Sequence, residues 1–211
     1  MALNKLKFNS INVTPAASKA IRFNSSANGL ETADAGGNLV KIATTTASSS
    51  ASLSFTSGID STYKEYMFFF NNLHPQTDDT KLVFQTTTDG SNFNTTLTNT
   101  YFLARNQEDN SSRALGYSAD DEQAQGTAFQ RLNESTGSDN DQSVSGHMHL
   151  FEPSSTVFVK HYISRTVSIF DRATDVFGAG YFNTTSAITG IQFKMSSGNI
   201  DSGTITMYGV T

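Results

Sequence analysis

Tyr66-Met67-Phe68-Phe69-Phe70 decides the fold class. Five apolar residues in succession, three of them phenylalanine, do not belong in a solvated loop. The run is too short to stand as a helix, and its aromatic content favours a strand. An unbroken apolar stretch of this length predicts a strand buried on both faces. Outward from it, similar stretches recur at short intervals. Residues 81–87 lead into an Asp89-Gly90 turn, and 101–103 follow. The last third carries 144–151, 157–167, 181–182, 188–195 and 203–208. No helical periodicity separates them. The expectation is an all-β chain, an antiparallel β-sandwich of jelly-roll-like form with an extended N-terminal β arm.

Composition agrees. Hydrophobic residues make up 36% of the 211 residues and charged residues 16%, with Ser, Thr, Asn and Gly filling the difference. A helical protein would carry more Leu, Ala, Glu and Lys; short strands joined by turns use what is present here. Sixteen Phe and seven Tyr supply core volume that the aliphatic residues do not. Alternation within 157–167 places Val157, Val159, Ile163 and Val167 on one face. Phe158, Lys160, Tyr162 and Ser164 fall on the other. The apolar side is expected to face the core, and His161, which shares it, to be a satisfied core histidine.

Texture divides the chain. Residues 1–50 hold short β-like pieces at 6–8, 11–13, 20–23 and 39–42, with turns at Asn28-Gly29 and Gly36-Gly37. Lys7-Phe8-Asn9-Ser10 and Arg22-Phe23-Asn24-Ser25 look like two copies of a small unit. Residues 43–52, ATTTASSSAS, read as a linker. This region has too few large apolar residues for a core of its own. It is expected to be an arm for docking or oligomerisation, and 51–211 the sandwich domain. Residues 106–140 form a long polar excursion. Long connections of this kind are commonly functional, so Arg113, Tyr117, Asp120, Asp121 and Glu122 are expected to contact a partner. Leu115, Tyr117, Phe129 and Leu132 are expected to pin the excursion to the sandwich.

The net charge of −5 and pI of about 5.2 argue against nucleic-acid and membrane-surface binding. With no cysteine, disulfides and thiolate chemistry are excluded. The N-terminal residues lack the apolar core of an export signal, and no stretch reaches transmembrane length, so no membrane insertion is expected.

Candidate chemistry is sparse. No Gly-x-Ser-x-Gly elbow accompanies His74, His147, His149 or His161. Asp120, Asp121, Glu122, Glu134, Asp139 and Asp141 could supply the acid pair of a glycosidase, but they sit where solvated carboxylates are expected anyway. Asp139-Asn140-Asp141 begins like a calcium loop, yet Val144 and Leu150 stand where Gly and Glu are required. His147-x-His149 is the sharpest feature. Residues two apart on a strand share a face, so both imidazoles point the same way, outward if Val144, Met148 and Leu150 face the core. Two imidazoles do not saturate a metal, whereas three chains around an axis would bring six. A metal at His147 and His149 is therefore expected only in a trimer, and otherwise these are exposed or interface histidines. No catalytic residue and no cofactor is expected.

Three phrases carry a resemblance. Phe55-Thr-Ser-Gly-Ile-Asp-Ser-Thr-Tyr63 is followed by Tyr66-Met-Phe-Phe-Phe-Asn-Asn-Leu-His-Pro75. Leu82-Val-Phe-Gln-Thr-Thr-Thr-Asp-Gly-Ser-Asn-Phe93 is followed by Tyr101. Ile188-Thr-Gly-Ile-Gln-Phe193 leads into Ser197-Gly-Asn-Ile-Asp-Ser-Gly-Thr-Ile-Thr-Met-Tyr-Gly-Val210. Together they resemble a β-sandwich module of tailed-bacteriophage structural proteins, of the marine and cyanophage type. The resemblance implies a virion protein made in the host cytoplasm, with a tail-fibre or host-adhesion role, or else capsid decoration or a tail lattice. A polysaccharide-degrading enzyme is the third alternative. It further implies a homo-oligomer, a trimer by analogy, joined to other virion proteins through the N-terminal arm, with a host surface glycan or protein as a further partner.

Overall fold

The computed structural model describes residues 19–34 and 38–211, which divide between two units, Met1–Asn38 and Leu39–Thr211. In the first unit, β1 (Lys19–Phe23) and β2 (Leu30–Asp34) form an antiparallel hairpin. Arg22 and Glu31 face each other across it, and the Arg22 Nε–H donates to the Glu31 carboxylate at 3.0 Å. The side chains of Asn24 and Asn28 bond across the connection. The strands expected at 6–8 and 11–13, and the Gly36-Gly37 turn, lie outside the described residues.

The second unit is all-β and antiparallel, with no α-helix among its residues. Its larger sheet has eight strands. They are β3 (Leu39–Thr46), β14 (Ile200–Val210), β5 (Glu65–Pro75), β10 (Val144–Phe151), β11 (Lys160–Ile169), β12 (Arg172–Phe182), β7 (Leu97–Gln107) and β8 (Arg113–Tyr117), in that spatial order. A four-stranded sheet of β4 (Leu53–Phe55), β13 (Gly190–Met195), β6 (Leu82–Thr87) and β9 (Gln130–Arg131) packs on it. This is the jelly-roll-like sandwich that the strand pattern predicts.

Aromatic side chains fill the space between the sheets. Phe193 of β13 lies 5.5 Å from Phe68, 5.2 Å from Phe70, 6.4 Å from Phe55 and 6.3 Å from Phe84, ring centre to ring centre. Phe84 continues the cluster to Tyr162 at 5.0 Å and Phe182 at 6.2 Å. Most of these pairs meet edge to face or tilted, the arrangement that the ring quadrupoles favour. Leu82, Met148, Leu150, Ile191, Ile205 and Met207 complete a buried layer.

Four expectations are corrected. First, Tyr66, Phe68 and Phe70 are buried but Met67 and Phe69 only half-buried, so the aromatic run has one core face and one outer face. The strand buried on both faces is β6, whose Gln85 amide donates to the Thr127 and Ala128 carbonyls that cover it. Secondly, residues 39–46 are a paired edge strand, and the compact unit begins at Leu39 within the expected arm and linker. Small polar residues suffice there because backbone bonds to β14, with Thr44 and Thr206 in hydroxyl contact at 3.1 Å, do the joining.

Thirdly, β11 is turned over. Lys160, Tyr162, Ser164, Thr166 and Ser168 are buried, whereas Ile163 and Val167 remain 46% and 47% exposed. His161 goes with the exposed set and is no core histidine. The reason is what lies beneath: residues 130–142 pass under this part of the sheet with Gln130, Asn133, Ser135, Thr136 and Gln142 buried. A polar layer needs polar partners. The Thr166 hydroxyl donates to the Leu132 carbonyl, and the Thr174 hydroxyl to Glu134. Fourthly, the polar excursion is not one loop. It comprises the β7–β8 hairpin, a 3-10 turn at Ala119–Asp121 and β9. Leu132 anchors it in the core, but Leu115 is 79% and Tyr117 56% exposed, so these two do not pin it.

Candidate functional site

The outer face of the eight-stranded sheet is the most distinctive surface of the molecule. Strand register fixes its rows. One row runs Phe69, His147, Arg165, Phe177, Phe102 and Tyr117, from β5 across to β8. The row beside it runs Tyr208, Met67, His149, Ile163, Ala179 and Thr100. A third holds Val167, Asp175, Ala104 and Leu115.

Contacts between neighbours gather the rings of these rows into two aromatic clusters, with Arg165 between them. Tyr208 meets Phe69 edge-on at 5.5 Å, and Phe69 lies 6.3 Å from His147. The His147 and His149 rings are 5.3 Å apart, and His149 stacks on Phe151 at 6.1 Å. Farther along, Phe102 and Phe177 are parallel at 4.9 Å. The Arg165 guanidinium lies 4.7 Å over Phe177 and grips both carboxylate oxygens of Asp175, at 3.0 and 2.7 Å. That paired geometry holds the Arg165 pKa up and neutralises both charges in the plane of the face.

His147 and His149 share the outer face, as the spacing predicts. The sequence offered no carboxylate to orient them, yet Glu65, on the adjacent strand β5, bonds to the His149 Nδ1. Burial, then the neighbouring His149 and Arg165, hold the His147 pKa below its ordinary value, favouring the neutral ring. Within the one chain, no group of three or more His, Asp or Glu among the described residues is placed to hold a metal.

The five residues expected to contact a partner lie close together on the β8 edge and the turn that follows. Arg113, Tyr117, Asp120 and Glu122 are exposed. The Tyr117 hydroxyl donates to Glu122, and Arg113 to the side chain of Asn110. Asp121 differs: its side chain is nearly enclosed and paired with Arg131. Glu134 is likewise engaged, by Arg105 at 2.7 Å, Arg172 at 3.3 Å and the Thr174 hydroxyl at 3.4 Å. These two carboxylates therefore sit in arginine embraces rather than free in solvent.

His74 is bonded through Nδ1 to the Gln142 carbonyl, at the rim of an open polar cleft that also holds Asn72, Asp141 and Asp201. A second cleft, at the end of β10, joins Lys64, Glu152 and the exposed tip Val157-Phe158. Neither histidine with a ring-nitrogen partner, His74 or His149, is bonded to a hydroxyl.

Sequence reasoning missed Arg165, Phe177, Phe102 and Glu65 as members of one surface. The signal available was the strict alternation of 160–169, which names two faces without saying which is inside.

The fold and this surface define a jelly-roll-like β-sandwich with one broad aromatic face. No protein-family model, curated protein or solved structure matches the chain. No helix among the described residues is long and apolar enough to cross a membrane.

Proposed function

We propose that the chain is a bacteriophage virion structural protein, a non-catalytic tail-fibre or host-adhesion subunit that works as a homo-oligomer. One observation carries this: the best-placed carboxylates and the central charges are engaged by neighbours within the fold, while the outer face of the larger sheet exposes apolar and aromatic side chains. Asp121 and Glu134 are held by arginines, and the charges of Arg165 and Asp175 cancel each other. Such a molecule presents a surface to bind rather than a reacting group. The resemblance of the phrases at 55–75, 82–93 and 188–210 to tailed-phage β-sandwich modules supports the virion reading.

Capsid decoration or a tail lattice would use the same fold, and copy number separates the readings. Quantitative mass spectrometry of washed particles of the encoding phage is expected to find the chain at a few copies per particle, as a fibre requires. Hundreds of copies would replace the fibre with a decoration or lattice protein. Release of reducing ends from host polysaccharide, lost on Glu134→Gln or Asp121→Asn, would replace both with the enzyme.

A further inference from the structure

We infer that the outer face of the eight-stranded sheet is the surface through which copies of this chain associate. The inference rests on the homo-oligomer reading above and adds which surface performs it.

The starting point is the inverted strand β11. Aliphatic side chains normally go inward because each buried one contributes about 1.5–3 kcal/mol. Here Ile163 and Val167 point out while Ser164, Thr166 and Ser168 point in. The neighbours repeat the pattern, with Phe102 exposed on β7 and Leu115 and Tyr117 on β8. Exposed apolar side chains grouped on one face in this way commonly mark a contact surface.

Its size is of the right order. The three rows hold sixteen positions on the strands from β14 to β8. At about 4.8 Å per strand and about 6.7 Å between outward rows, they cover roughly 500 Å². A stable interface buries about 800 Å² per partner, so these rows supply its larger part.

Its charge distribution points to a second copy. A surface that meets its own kind must not carry an unpaired charge at its centre, because like charges would then face each other across the contact. The central charges here, Arg165 and Asp175, cancel each other. The charges without such a partner stand at the margins of the face, Lys41 and Arg113 on the two edge strands, β3 and β8, and Glu65 at the end of β5. An aromatic centre with arginine, depleted of free charge and rimmed by it, is the anatomy of a lasting protein interface. Such permanent interfaces between identical chains are the more apolar kind.

The test uses the full chain. Light scattering at micromolar concentration is expected to give a multiple of 22.8 kDa. Ile163→Lys combined with Val167→Lys places two like charges on each copy's face. It is expected to weaken association by at least about 100-fold, to the mass of one chain, with the β circular-dichroism spectrum retained. Ile163→Thr with Val167→Thr keeps the β-branching and guards against misfolding; its association is expected to weaken by about tenfold. Because the chain has no cysteine, Ile163→Cys with a short thiol-reactive cross-linker is expected to join chain to chain. A single-chain mass for the unaltered protein overturns both this interface and the homo-oligomer reading. An oligomer indifferent to the lysines and not cross-linked through Ile163→Cys overturns the interface alone.

Discussion

Lys160 shows how far a single side chain can depart from its usual place. It is fully buried, and its ammonium donates only to the Thr184 carbonyl, at 3.1 Å. Burial lowers its pKa. Burial thus penalises the charged form that the unfolded chain carries at pH 7, so the lysine costs stability there. That cost shrinks as pH rises toward the unfolded value near 10.4. Lys160→Met keeps most of the volume and removes the charge, so its melting midpoint at pH 7 is expected to equal or exceed that of the unaltered chain. Lys160→Ala instead leaves a cavity and is expected to lose about 2–4 kcal/mol. A lower midpoint for Lys160→Met would mean that the single ammonium bond outweighs its desolvation. Among the histidines, the shared face of His147 and His149 was legible because a period of two allows nothing else. The Glu65 contact was not, since it joins residues on different strands, and pairing order is not written in local pattern.

Strands β5 and β14 pair with irregular register, with shifts between Ile200 and Ser202 and between Ser202 and Thr204. Gly203 sits there at φ +106°, and a Cβ on it would come within 2.3 Å of the Asn72 carbonyl oxygen. Gly203→Ala is therefore expected to cost about 1–3 kcal/mol, read as a lowered denaturant midpoint with an unchanged slope. A neutral outcome would mean that the bulge shifts freely. The same element scale shows why strands were easier to find than their orientation. The runs at 66–70, 82–87, 144–151 and 203–208 are apolar enough to name themselves. In β11 the alternation was equally plain, but its sign depended on residues 130–142, a distant segment that brings a polar layer under the sheet. Likewise 43–46 looked like linker because an edge strand draws on backbone pairing, which small polar residues conceal.

At the scale of the whole molecule, the jelly-roll-like sandwich was legible from composition and strand spacing, since so aromatic a chain with so little helical pattern has few other ways to bury its rings. The outer pavement was not, because an apolar strand facing outward and one facing the core read alike. The central claim, a structural component of a phage particle, is tested most directly by gold-labelled antibodies against the purified chain on intact particles of the encoding phage. The account predicts regular labelling at the tail or its fibres. Particles that stay unlabelled while the free protein is recovered in full from the lysate would contradict it.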